Sequence, residues 1–133
     1  MLKPDFTRYS LALVNADKII FSSEGHGLRP LWDCLDIYRQ AKKSFVLYDK
    51  VIGLAAAKLV SYSGIISAVQ TLLISHPAKI YLKKKRIKIK AKKTVANILT
   101  KDGCSICPGE IIALNTDNPD DFYAKIKTMV RNF

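Results

Sequence analysis

The sequence predicts an α/β fold: a three-layer α/β/α sandwich on a mixed, mostly parallel five-stranded sheet. Three observations predict it. Two strand-like runs joined by turn residues open the chain. After them, short apolar runs alternate with stretches of three- and four-residue periodicity, which implies parallel strands joined by crossover helices. The chain has 133 residues and is 49% apolar, with no internal repeat and no linker. That is enough for one core in a single domain, residues 1–133.

Ser10–Asn15 reads as a strand, Asn15-Ala16-Asp17-Lys18 as a turn, and Ile19–Ser22 as the returning strand of a hairpin. Gly25-His26-Gly27 breaks that pattern. Pro30 suits a first helical turn, and Leu31, Cys34, Leu35 and Tyr38 repeat at helical spacing to about Ala41. Ser44–Tyr48 is nearly continuous apolar sequence, as a central strand should be.

Val51–Val60 reads as a buried helix with small side chains at Gly53, Ala56 and Ala57, ended by Ser63-Gly64. Residues 65–73 hold the next strand. Ser75 and Pro77 start a helix that runs to about Lys84. Ile87–Ala91 alternates strictly and reads as a strand with one wet face. Thr94–Leu99 is expected to form a short turn of helix, and Pro108–Leu114 a longer one. Asn118 caps the last helix, with Pro119 in its first position and Asp120 and Asp121 at its positive end.

This order can be set beside three segments: Asp49-Lys50-Val51-Ile52-Gly53-Leu54-Ala55-Ala56-Ala57, Cys107-Pro108-Gly109-Glu110 after Asp102-Gly103, and Gly27-Leu28-Arg29-Pro30-Leu31 at the first helix start. Together they resemble the cytidine deaminase-like fold, and within it one uncharacterised prokaryotic family. The resemblance runs from about Ser10 to the C-terminus. Zinc deaminases of that fold carry His-x-Glu or Cys-x-Glu at the second helix and Pro-Cys-x-x-Cys at the third. This chain has Asp49-Lys50 and Ser75-His76-Pro77 in those places. The resemblance therefore implies the fold without zinc-dependent deamination, and no metal or cofactor is expected.

Cys107 and Glu110 stand three apart at a helix start, so they share a face where thiols ionise more easily and anions are favoured. Cys107 is a candidate nucleophile, and Glu110 and Asp49 are candidate acid/base groups. Each has a structural alternative: Glu110 in a capping box, Asp49 as a helix cap. Lys50, Gly53, Gly103, Cys104 and His76 complete the candidate ligand-binding set. The Cys104/Cys107 spacing also permits a thiol-redox pair, and Cys34, His26 and His76 show no paired spacing for zinc. His26, alone in its loop, reads as a surface residue.

The net charge of +11 is concentrated: nine of the 22 basic residues lie between Lys79 and Lys93, with no acid among them. Lys83, Lys84, Lys85 and Arg86 suit a helix C-terminus, and Lys88, Lys90 and Lys92 suit a protected sheet edge. A basic module for nucleic acid or an acidic protein is the alternative function. Lysine outnumbers arginine 17 to 5, and no aromatics are interleaved, which disfavours base readout. The first five residues lack a signal-peptide apolar region, and no apolar run reaches ~18 residues. Three cysteines do not make a secreted disulfide framework. The expectation is a cytoplasmic protein off the membrane that takes a small polar ligand, nucleoside- or nucleotide-like by fold analogy, and is open to homo-oligomerisation.

Overall fold

The structure is a computed structural model and describes residues 3–99 and 108–131. The strands are β1 (Leu11–Asn15), β2 (Lys18–Ser23), β3 (Phe45–Asp49), β4 (Val51–Ile52), β5 (Ile66–Ser75) and β6 (Lys88–Val95). The helices are α1 (Arg29–Tyr38), α2 (Leu54–Ser63), α3 (His76–Lys84), α4 (Pro108–Asn115) and α5 (Pro119–Arg131).

The hairpin forms as expected, with β1 antiparallel to β2 and also antiparallel to β3. β3 and β5 run parallel, as do β5 and β6. β4 pairs with the far half of β5, beyond β3 on the same side. The six strands therefore occupy five positions, in the order β2, β1, β3 with β4, β5, β6. Val51 and Ile52, expected in the helix, extend the sheet instead. Both are β-branched and find partners in Leu73 and Ile74.

The helix expected over Thr94–Leu99 does not form. Thr94 and Val95 continue β6 against Ile74 and Ser75, because β5 is long enough to offer them a ladder. Gly64, at φ +71°, ends α2 in the left-handed conformation that a glycine adopts at little cost.

The layering departs from expectation. The two crossovers that follow β3, and the one that enters it from β2, all step across the sheet in one direction. Right-handed crossovers taken in one direction place their helices on one face. One large core accordingly joins Leu11, Leu13, Phe45 and Leu47 of the sheet to buried residues of all five helices. The other face has a small cluster of its own, Tyr9, Ala12, Val14 and Tyr48 with Phe6 and Val46, to which no helix contributes among the described residues. Among the described residues, the three-layer sandwich is thus replaced by a sheet with its helices stacked on one side. α1, α2 and α3 lie against the sheet, and α4 and α5 pack on α2.

No helix among the described residues is long and apolar enough to cross a membrane.

Candidate functional site

Beyond the carboxyl ends of β3 and β4, where the chain turns towards α2, lies a cavity of about 440 Å³. Crevices in open α/β sheets form in this position. Its volume falls in the range that takes small ligands. The starts of three helices border it: the Gly25–Leu28 loop and Pro30 at α1, Gly53 and Ala55 at α2, and Pro108, Gly109 and Glu110 at α4. Asp49 and Lys50 come from the end of β3, and Leu11, Ile98, Leu99 and Met129 add apolar wall.

Glu110 is the most constrained polar group in this cavity. It is only 3% exposed. Its Oε1 accepts the Ala55 N–H at 3.1 Å, and the Leu54 N–H also points to the carboxyl. Glu110 therefore caps α2, a helix 55 residues away in sequence. Gly53 makes this possible, since a Cβ there would overlap the Glu110 carboxyl and crowd Ile98. The second oxygen, Oε2, is buried without a hydrogen-bond partner among the described residues. Burial pushes the Glu110 carboxyl above its usual range, against the pull of the two amides and of Lys58.

Asp49 is half-buried at the end of β3. Burial pushes its carboxyl up to about 8, opposed by hydrogen bonds from the Val51 and Lys50 amides. It shares this region with Cys34 of α1, a wholly buried thiol. Burial, with a smaller contribution from the nearby Asp49, raises that thiol to about 12. Cys34 is therefore a packing residue and an unreactive one. Lys50 is held through its backbone, donating to Ser10 O at 2.8 Å and accepting from Leu73 N at 3.3 Å, while the residue itself is exposed.

Four of the expected site residues, Asp49, Lys50, Gly53 and Glu110, meet in this one cavity. His26, read from sequence as a surface residue, also borders it. His76 opens α3, exposed, and does not line it; Ser75 caps that helix by accepting the Ala78 N–H. Cys104, Cys107 and Gly103 lie outside the described residues. Sequence reading missed the contributions of Ser10, Leu28 and Met129, which carry no signal beyond ordinary composition. Among the described residues, no three His, Cys, Asp or Glu side chains gather as a metal site.

Chemically, the cavity offers an apolar body and two carboxyls raised by burial, Asp49 to about 8 and Glu110 in the same direction. A carboxyl near 8 exchanges a proton readily at neutral pH. The fold and cavity define an α/β protein with an open, mostly parallel sheet and a small-ligand-sized crevice at its strand ends. The chain belongs to the family of domains of unknown function DUF1893, whose profile matches residues 5–130. A crystal structure of a DUF1893 family protein from Thermotoga maritima superposes with a TM-score of 0.79 at 23% identity. The match covers 93% of this chain and 82% of that one. That likeness shows the fold alone. No curated protein matches the chain.

Proposed function

We propose that this protein binds a small, largely planar polar molecule in the cavity between Asp49-Lys50 and Glu110, with a nucleobase or nucleoside as the best-fitting class. The carrying observation is that Asp49, Lys50 and the buried Glu110 converge on one cavity of about 440 Å³ whose wall is otherwise mostly apolar. A protonated carboxyl both donates and accepts, as Asp49, raised to about 8, does at neutral pH, which matches a heterocycle edge where N–H stands beside C=O. The strand order and the position of the crevice support a cytidine deaminase-like ancestry, and the nucleoside class rests on that likeness. The open sheet face is a departure from it.

The test is a titration of purine and pyrimidine nucleosides and free bases, followed by ligand-detected NMR. Binding is expected, and Glu110→Ala should weaken it about tenfold, or ~1.4 kcal/mol. Glu110→Gln retains a donor and an acceptor on the same atoms and should keep most of the affinity. The Gln variant also keeps the α2 cap, since its Oε1 still accepts the Ala55 N–H, so it shows whether the charge of Glu110 matters apart from its shape and hydrogen bonds. A panel that does not bind, or binding that Glu110→Ala leaves untouched, removes this reading.

A further inference from the structure

We infer that the edge of the sheet at β6, together with the turn that leads into it from α3, is a docking surface for the phosphate backbone of duplex nucleic acid. No residue of β6 borders the cavity, so the inference stands apart from the ligand reading above.

The first observation is one of charge. Between Asp49 and Asp102 the sequence contains no acidic residue. The fold gathers β5, α3 and β6 from this acid-free stretch at one end of the sheet, where β6 pairs with β5 alone among the described residues. Four of the eight residues of β6 are lysines, and all four are exposed. No salt bridge joins them to a carboxylate among the described residues.

The second observation is one of register. Lys88 stands beside Ala68, and Ala68 beside Val46. Lys90 stands beside Gln70, and Gln70 beside Tyr48. Val46 and Tyr48 belong to the cluster on the face to which no helix contributes among the described residues. Lys93 stands beside Leu73, whose other neighbour, Val51, is exposed while Ile52 lies in the main core. Lys88, Lys90 and Lys93 therefore line the same face. Five residues of parallel strand extend ~17 Å, and duplex DNA presents one phosphate charge per ~1.7 Å of its axis. The row thus meets several phosphates at once.

The third observation is the turn. The Arg86 N–H donates to Lys83 O and the Ile87 N–H to Leu82 O. In this helix ending the residue at the place of Arg86 is left-handed and usually glycine. Arg86 adopts φ +60°, a conformation that costs a residue with a Cβ. An exposed cation without an ion pair among the described residues is thus held under strain beside the lysine row. Protection of a sheet edge accounts for lysines on a strand. It does not account for Arg86 or for the missing acids.

The side chains on offer select the partner. The exposed residues of β6 are its four lysines and Thr94. None is a ring on which an unpaired base could stack, which argues against single strands. None is a large apolar anchor, which argues against a protein partner or a lipid surface. Ammonium groups on long stems suit phosphates contacted without regard to sequence.

The experiment follows the fluorescence anisotropy of a labelled mixed-sequence DNA duplex, and separately an RNA duplex, against the full chain over a series of salt concentrations. Saturable binding is expected, with log affinity falling linearly against log salt by ~0.9 per phosphate contact. Lys88→Gln, Lys90→Gln and Lys93→Gln combined should weaken binding about tenfold at low salt and lower that slope by about 2–3. Lys18→Gln, Lys42→Gln and Lys43→Gln combined, all at exposed positions elsewhere, give the same net charge and should cost less than about threefold. Arg86→Gly should raise the thermal midpoint yet weaken binding about threefold, a split that a residue serving only to end the helix would not give. Absence of saturable binding to both duplexes overturns the inference. Equal losses in the two triple variants reduce the effect to net charge and also overturn it. So does tighter binding, at matched ionic strength, to single strands, to polyglutamate or to vesicles of anionic lipid than to either duplex. None of these results bears on the cavity, and a failed nucleoside titration does not bear on β6.

Discussion

At the scale of single residues, Gly53 and Glu110 form one unit. Gly53 adopts φ −96° and ψ −177°, which any residue tolerates. On backbone grounds alone, Gly53→Ala would stabilise by ~0.4–1 kcal/mol through the unfolded chain. The overlap with the Glu110 carboxyl and Ile98 reverses the sign. Gly53→Ala should destabilise by about 1–3 kcal/mol, the usual cost of overpacking, as a lower urea midpoint with unchanged slope. In a Glu110→Ala background the carboxyl is gone and only the Ile98 contact remains, so the same substitution should cost much less. Equal costs in the two backgrounds would show that the pair does not touch. The sequence made both residues visible as candidates, through a glycine opening an alanine-rich helix and a glutamate one turn into another. Their mutual contact was not visible, because capping by a residue 55 positions away leaves no local pattern.

At the scale of elements, α2 and α4 hold each other by opposite ends. Glu110 at the start of α4 answers the positive end of α2. Lys58, one turn into α2, donates to Ala113 O at 2.6 Å and Thr116 O at 2.8 Å, carbonyls at the far end of α4. The two helices therefore run in the same direction, each supplying the charge that the other's terminus lacks. The Lys58 ammonium also lies 5.5 Å from the Phe122 ring centroid, which ties α5 to the same post. Lys58→Met keeps the aliphatic stem and removes both bonds. It should cost about 1–3 kcal/mol, with amide exchange accelerating most in α4. Uniform acceleration across β5 and α4 alike would count against a local latch. Helix existence was legible here from periodicity and caps, and Asn118 caps α5 as its sequence predicts. What misled was competition at element ends. Val51-Ile52 and Thr94-Val95 have local sequence compatible with helix, but the length of β5 gave each a strand partner. Tertiary pairing of that kind overrides local propensity.

At the scale of the whole molecule, the order of elements was legible but their distribution over the two faces was not. Alternation of helix and strand implies parallel pairing. Coverage of both faces additionally requires the crossovers to reverse direction across the sheet, and the strand order that settles this is not a local property. The one-sided stacking concentrates burial over the strand ends, and it is this burial that shifts the two cavity carboxyls. Both are raised, Asp49 to about 8. A carboxyl raised on folding binds a proton more tightly in the native state, so its contribution to stability is complete below the unfolded value of ~4. The contribution is lost as pH climbs through the folded value. The net charge of +11 acts in the opposite sense, since lowering pH adds further like charge to an already cationic molecule. The two effects separate by comparison with Asp49→Asn, which shares every other charge. The thermal stability of the native protein relative to this variant should fall steadily between about pH 4 and pH 8, then level off. Adding Glu110→Gln should remove a further part of the slope, because Glu110 shifts in the same direction. Parallel stability curves for native and Asp49→Asn protein across that window would mean that the Asp49 carboxyl titrates as it does in the unfolded chain. The cavity would then be more open to water than its walls imply.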